Sequence, residues 1–159
     1  MNSRSFSESI RFVDIENVDV AAFKKHLADC VVLTRENKIL LQQRPLDWGS
    51  SAGCLTTFGG HVESGESVME ALVRELHEEL GAQVQKEDVI FLGALSEGFT
   101  GHSELVHVHF WHDKEGTITG VYECEGRYYD SVEEALSHDK VMDYVRWALC
   151  ECRDRGLLK

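Results

Sequence analysis

Three glutamates, Glu75, Glu78 and Glu79, are the residues whose types and spacing most directly suggest chemistry. On a helix, where each residue turns by roughly 100°, they fall within about a third of the circumference. Like charges at this spacing repel one another, and the repulsion grows where water is excluded. Hard divalent cations such as Mg²⁺ or Mn²⁺ prefer oxygen ligands and would relieve it. A solvated acidic helix face is the alternative interpretation.

The residues that flank these glutamates favour the metal hypothesis. Gly59 and Gly60 permit a backbone bend and the close approach of a ligand, and the carbonyl of Gly60 could face a metal ion. Glu66 lies at the predicted helix start, where a negative charge suits the helix dipole. From there its carboxylate could reach Arg74.

The segment Gly60–Ala82 resembles the signature of the Nudix hydrolases. All the glycine and charged positions of that signature are present, filled by Gly60, Glu66, Arg74, Glu75, Glu78, Glu79 and Gly81. Ala82 stands where an aliphatic residue is expected, and Phe58 stands where many members have proline. The resemblance implies an α/β (α+β) fold, the Nudix-type α/β/α sandwich with a mixed β-sheet between helices.

The resemblance also implies a function. Members cleave a diphosphate linkage in a nucleoside diphosphate joined to another group, such as a nucleoside triphosphate, ADP-ribose, a nucleotide sugar or a dinucleoside polyphosphate. By this analogy the metal ligands for Mg²⁺ or Mn²⁺ are the Gly60 carbonyl, Glu75, Glu78 and Glu79, while Arg74 and Glu66 orient them. The alternative is a nucleotide-sensing regulatory module that keeps the fold without turnover.

Residues outside the signature supply further candidates. The general base is a signature glutamate or a later carboxylate among Glu97, Glu104, Glu123 and Glu125, and we prefer Glu125 because it precedes the exit segment; a solvated loop glutamate is the alternative. The predicted substrate-binding residues are Arg44 and Trp48, with Trp48 preferred over Phe99 and Tyr128 for stacking on a base.

Four histidines form a second candidate cluster, His102, His107, His109 and His112. His107 and His109 alternate on a predicted strand and therefore share a face. A zinc site is conceivable there, although histidines on strands more often pack or face solvent. The role of the cluster stays open at this point.

The predicted secondary structure places the signature on a strand–loop–helix unit. A helix is expected over Ser67–Leu80, ended by Gly81. Strands are expected at Cys30–Thr34, Ile39–Gln43, Leu55–Phe58, Val89–Leu95, Leu105–Trp111 and Thr117–Glu123. Further helices are expected around Val20–Leu27, over Ser131–Leu136 with Ser131 as N-cap, and over Lys140–Arg153.

Length and charge limit the remaining possibilities. The 159 residues suit one domain, with 1–28 as an N-terminal extension and 139–159 as a C-terminal helix region. The net charge of −12 argues against binding a nucleic acid polymer, which relies on Lys and Arg. Without a long apolar run or a signal sequence, we expect a cytoplasmic protein with no membrane partner. The expected partner is a nucleotide-like small molecule, and a homodimer is possible.

Overall fold

The structure is a computed structural model that describes residues 10–47 and 52–159. Its strands are β1 (Ile10–Val13), β2 (Lys25–Leu33), β3 (Ile39–Gln43), β4 (Leu55–Thr56), β5 (Phe58–His61), β6 (Ile90–Glu97), β7 (Glu104–His112) and β8 (Glu125–Tyr129). Its α-helices are α1 (Val68–Leu80), α2 (Val132–Leu136) and α3 (Asp143–Asp154).

All these strands belong to one mixed sheet. The main path runs β1-β6-β7-β2-β3-β4, while β5 pairs with β2 and β8 pairs with β3. The pairing of β2 with β7 is parallel, and the other strand pairs are antiparallel. Two strands, β5 and β3, therefore share β2 as a neighbour along the same edge. The gap between them opens beside the glycines of the signature.

The sheet is buried on both faces, which explains the unbroken apolar run of β2. Successive strand residues point to opposite faces. Cys30 and Val32 pack with α1, whereas Val31 and Leu33 pack in the core that contains α2 and α3. The predicted mixed sheet between helices is thus confirmed.

Helix α1 ends at Gly81 as predicted, and it begins with a capping box at Ser67 that the sequence analysis did not predict. Ser67 is the N-cap and accepts from the Glu70 amide at 3.1 Å, while the Glu70 carboxylate accepts from the Ser67 amide at 3.3 Å. This reciprocal capping box satisfies amide groups that the first helical turn leaves without partners. At the other end Gly81 adopts the left-handed conformation, and its amide donates to the carbonyl of His77.

Two predicted elements are wrong. The expected helix around Val20–Leu27 is only a 3₁₀ turn at Val20–Ala22, because β2 begins at Lys25 and extends to pair with β7. The expected strand at Thr117–Glu123 is a loop. The amides of Thr119 and Tyr122 donate hydrogen bonds to the last carbonyls of α1. These amides therefore satisfy the end of a helix and are not free to pair with a neighbouring strand.

The described part of the segment before residue 28, predicted only as an N-terminal extension, belongs to the packed fold. Strand β1 pairs with β6, Ile10 is buried, and the Phe12 ring lies 5.2 Å from that of Trp147 on α3. The described part of this segment therefore covers one end of the core.

Among residues 10–47 and 52–159, no helix combines the length and apolar character needed to cross a bilayer.

The capping box gives a first prediction about stability. Ser67→Ala and Glu70→Ala should each lower the free energy of unfolding by about 0.5–2 kcal/mol, because each leaves a helix-start amide without its acceptor. Glu70→Gln should keep most of the stability, since glutamine offers the same oxygen. Chemical denaturation of the three variants measures the differences. Equal losses for Glu70→Ala and Glu70→Gln would contradict the capping role.

Candidate active site

A cleft of about 520 Å³ opens at the gap between β5 and β3. Parts of β2, β3, β5, α1, the β6–β7 hairpin, the loop before β8 and the start of α3 form its walls. Seven of its lining residues are acids, namely Asp29, Glu63, Glu75, Glu79, Glu97, Glu104 and Glu123. Arg44 is the arginine among the lining residues. The cleft therefore concentrates negative charge in a partly enclosed space.

The two glycines of β5 let the sheet approach α1 closely. The Gly59 amide donates to the Glu79 carboxylate at 2.8 Å. A methyl group at Gly59 would come within 2.0 Å of the Ala28 carbonyl, and one at Gly60 would come within 2.6 Å of the Glu75 carboxyl carbon. Both positions must therefore be glycine if the carboxylates are to lie against the β5 backbone.

Arg74 fixes the loop after β5 to the face of α1. Its guanidinium makes two bonds to Glu66, at 2.8 and 2.9 Å, and one to the His61 carbonyl at 3.1 Å. It also donates to Glu75 at 2.8 Å and lies 3.5 Å from Glu78. The Arg74 guanidinium lowers the pKa of Glu66 to about 2, so Glu66 stays ionised and remains paired with Arg74 on the helix.

Burial perturbs the two inner signature glutamates. Burial raises the pKa of Glu79 to about 9, although the hydrogen bond from Gly59 has a lowering effect. The nearby carboxylates of Glu123 and Glu75 raise this pKa further. Burial also raises the pKa of Glu75, against the bond from Arg74. Glu78 differs, because its side chain is 51% exposed and it does not line the cleft. Charge crowding is therefore strongest at Glu75 and Glu79.

The signature acids do not form a closed metal cage by themselves. In the part of the chain that the structure describes, no three His, Cys, Asp or Glu side chains stand close enough to hold an ion. Glu75 is turned toward Arg74 and Glu79 toward Gly59. The donors still fit a hard divalent cation, since they are oxygens whose mutual repulsion such a charge would relieve. A cation here would take further oxygens from water and phosphate, as Mg²⁺ commonly does.

Asp29 is a cleft residue that the sequence analysis missed. It lies on β2 and is 7% exposed, and it lies near Tyr144, whose hydroxyl is 3.2 Å from the Thr57 hydroxyl. Burial raises its pKa to about 7, against the lowering effects of Tyr144 and Arg44. The available signal was an acid inside the apolar run ADCVVL, which a strand buried on both faces should not contain without a reason.

The β6–β7 hairpin brings two more acids to the cleft. Glu97 ends β6 and is 8% exposed, and burial raises its pKa to about 8, with Asp29 as the next contributor. Glu104 begins β7, and its carboxylate lies 3.7 Å from Nε2 of His61. Both were candidates for the general base, and both line the cleft.

The structure places Glu123 and Glu125 differently. Glu123 lines the cleft and acts on the pKa of both Glu75 and Glu79. Glu125 is exposed on β8, makes an ion pair of 3.1 Å with Arg127, and lines a separate shallow depression. Glu125 does not line the cleft, and its role as general base stays a prediction.

The predicted substrate contacts are only partly brought together. Arg44 follows β3 and lines the cleft, where its charge lowers the pKa of Asp29. Phe99 lines the cleft from the hairpin turn and is 60% exposed. Tyr128 lines another depression, which residues that follow β2 and β7 also line. Trp48, the preferred stacking residue, lies outside the described residues.

The histidines do not converge as a metal site would require. Nδ1 of His26 lies 3.2 Å from Nε2 of His107, and Nδ1 of His109 lies 3.1 Å from the Asp29 carbonyl. His102 instead contacts the Ser96 hydroxyl. Burial lowers the pKa of His107 to about 4, so the buried ring is neutral. For the described residues, the packing interpretation thus replaces the zinc interpretation of this cluster.

One family model and two curated relatives match most of this chain. A family model described as the NUDIX domain matches residues 24–148. The CTP pyrophosphohydrolase of Escherichia coli K12 is 37% identical over 109 residues, which are 67% of this chain and 76% of that protein. The ADP-ribose pyrophosphatase of Methanocaldococcus jannaschii is 29% identical over 143 residues, which are 84% of this chain and 83% of that one.

A solved structure also superposes on most of this chain. The solution structure of the E. coli ORF135 protein superposes with a TM-score of 0.61 at 28% identity. The superposition covers 87% of this chain and 97% of that one.

The buried acids predict how stability depends on pH. The pKa values of Asp29, Glu97 and Glu79 are all raised, so between about pH 7 and about pH 9 the folded state binds more protons than the unfolded state. The free energy of unfolding should fall over this range, by up to about 1.4 kcal/mol per pH unit for each proton. The lowered pKa of His107 acts below this window.

Thermal melts in EDTA across that window measure the effect. Glu97→Gln should reduce the fall in melting temperature, because its amide does not titrate. The exposed Glu87→Gln should leave the fall unchanged. A melting temperature that rises from about pH 7 to about pH 9 would refute the assignment of these groups as protonated in the fold.

Proposed function

The chain belongs to the Nudix family and is a hydrolase of phosphoric anhydride bonds, and we propose that it cleaves the diphosphate linkage of a nucleotide with the help of Mg²⁺ or Mn²⁺. The observation that carries this proposal is the meeting of Glu75, Glu79 and Glu123 with the glycine backbone of β5 in one cleft. Two relatives support a nucleotide substrate, since their names specify CTP and ADP-ribose. We propose a nucleoside triphosphate as the first substrate to test, with ADP-ribose, nucleotide sugars and dinucleoside polyphosphates as the remaining panel.

We assign the metal to the oxygens nearest the β5 glycines. The Gly60 carbonyl, Glu75 and Glu79 would hold the ion, with Glu78 joining from the rim. Such an ion supplies charge neutralisation for the phosphates and a lower pKa for a bound water. This assignment agrees with the chemistry of the donors and with the crowding of carboxylates that burial enforces.

The chain's own residues would then perform the remaining tasks. Arg74 and Glu66 hold the loop after β5 against α1, which keeps Glu75 oriented. Arg44, which lines the same cleft, would supply a positive charge for a phosphate oxygen. Glu123, which lies near both inner signature acids, is the proposed general base. It would accept one proton from the water whose oxygen bonds to phosphorus, while the bridging phosphoanhydride bond breaks and the leaving phosphate departs.

The first test measures turnover. With Mg²⁺, the protein should hydrolyse at least one member of the nucleotide panel, and excess EDTA should abolish the reaction. Glu75→Gln and Glu79→Gln should each lower turnover by orders of magnitude, because each removes the charge of a metal ligand. Glu70→Gln is the matched control on the same helix, since its carboxylate faces the capping box and not the cleft. Full activity in EDTA, or equal losses at Glu70 and Glu79, would refute the assignment.

The second test measures stability with and without metal. In EDTA, Glu79→Gln should melt at or above the wild-type temperature, because the substitution removes a buried acid crowded by Glu75 and Glu123. In millimolar Mg²⁺ the order should reverse, since the wild type gains more by mass action than the weaker mutant site. A purely structural Glu79 would instead destabilise the mutant equally in both buffers.

A further inference from the structure

The floor of the cleft changes from polar to apolar along β2. Asp29 and Leu27 lie two residues apart on this strand, so their side chains point to the same face, and both line the cleft. Asp29 pairs in register with Gly59 of β5, whereas Leu27 lies beside Val106 of β7. Asp29 therefore stands between the glycines of the signature and an apolar part of the floor.

Asp29 lies directly against the glycine strand. A methyl group at Gly59 would come within 2.5 Å of Oδ1 of Asp29. The amide of the same glycine donates to Glu79, one of the proposed metal ligands. Arg44, proposed to contact a phosphate oxygen, is near enough to lower the pKa of Asp29. Asp29 is thus adjacent to the place proposed for the phosphates.

Four apolar side chains also line the cleft. Leu27 and Val106 belong to its floor, Phe99 extends from the hairpin turn, and Met142 precedes α3. Their surfaces suit a planar ring, which gains from apolar and aromatic contacts. In a nucleotide the sugar joins the phosphates to the base. With the phosphates at the glycines and the base on these side chains, the sugar would lie at Asp29.

Asp29 retains the capacity for a hydrogen bond with a ligand. The residue is 7% exposed, and burial raises its pKa to about 7 although Tyr144 and Arg44 have lowering effects. These two neighbours therefore do not make up for the water that burial removes. A carboxylate has about four lone-pair sites, so a further donor can be accommodated beside them. A sugar hydroxyl that reached Asp29 would form a favourable bond.

We propose that Asp29 is a specificity residue that hydrogen-bonds a hydroxyl group of the substrate's ribose, so that ribonucleotides are preferred over their deoxy forms. This inference rests on the proposed function, since it assumes that the cleft takes a nucleotide. It adds a selection rule that the signature residues do not provide.

The rule holds for both protonation states of Asp29. A hydroxyl group both donates and accepts, so it can donate to the carboxylate and can accept from the neutral acid. A deoxy sugar has no polar atom at that position, and it leaves Asp29 without this bond in either state. The selection therefore depends on the presence of the hydroxyl group and not on the direction of the hydrogen bond.

The test compares ATP and CTP with their 2′-deoxy and 3′-deoxy forms in Mg²⁺. The wild type should favour the ribonucleotide over at least one deoxy form by about tenfold or more in kcat/KM, because a buried polar group is otherwise left without its partner. The deoxy form that is used poorly identifies which hydroxyl Asp29 contacts.

Two variants and a control connect this preference to Asp29. Asp29→Ala should bring the ratio of kcat/KM close to one, whereas Asp29→Asn should retain a preference, because an amide also donates and accepts. Asp88→Ala removes an exposed carboxylate outside the cleft and should behave as wild type. Chemical denaturation establishes that each variant is folded before it is assayed.

Three results would overturn the proposal. They are equal use of the ribonucleotide and both deoxy forms by the wild type, a preference that survives in Asp29→Ala, and loss of turnover on every nucleotide in Asp29→Asn. The last would assign Asp29 to the reaction itself.

Failure of the proposed function is recognised separately. If no nucleotide is hydrolysed in Mg²⁺, calorimetry in EDTA with adenosine, 2′-deoxyadenosine and 3′-deoxyadenosine still tests the rule. Tighter binding of adenosine that disappears in Asp29→Ala supports it. Equal binding of the three nucleosides, or no binding of any of them, contradicts it.

Discussion

The hydrogen bond from the Gly59 amide to the Glu79 carboxylate joins the sheet to helix α1 at the wall of the cleft. It requires the β5 backbone to lie almost against α1, and that approach excludes any side chain at Gly59 or Gly60. The same approach removes Glu79 from water and sets Glu75 beside the glycine backbone. The burial of Glu79 and its raised pKa accompany this close approach.

The buried acids of the cleft lower the stability of the fold. Asp29, Glu79 and Glu97 are each less than a tenth exposed, and each of their pKa values is raised by that burial. A sequence selected only for stability would fill these positions with apolar side chains. We interpret these acids as functional residues: they lower stability, and they provide a site that can bind charged and hydrogen-bonding groups. Arg74 offsets part of the cost through its ion pairs with Glu66 and Glu75.

Sequence reasoning worked where the signals are local. Gly81 ends α1 and Ser131 is the N-cap of α2, as predicted from local patterns that need no tertiary information. The alternative positions Glu123 and Glu125 could not be separated in this way, because the choice depends on where β8 begins and on Arg127 nearby. The loop at Thr117–Glu123 was mistaken for a strand for a similar reason. Its partner is the end of α1, which the sequence of the loop does not reveal.

The parallel pairing of β2 with β7 has a kinetic consequence. It joins segments about 80 residues apart in the chain, as the contact between His109 and Asp29 illustrates. Contacts of such long sequence separation form slowly, since the entropy of closing the intervening loop is lost before they stabilise the chain. The contacts within α1 are local and do not carry this loop-closure cost. We therefore expect the acids of the hairpin and of α1 to come together only after β2 and β7 have paired.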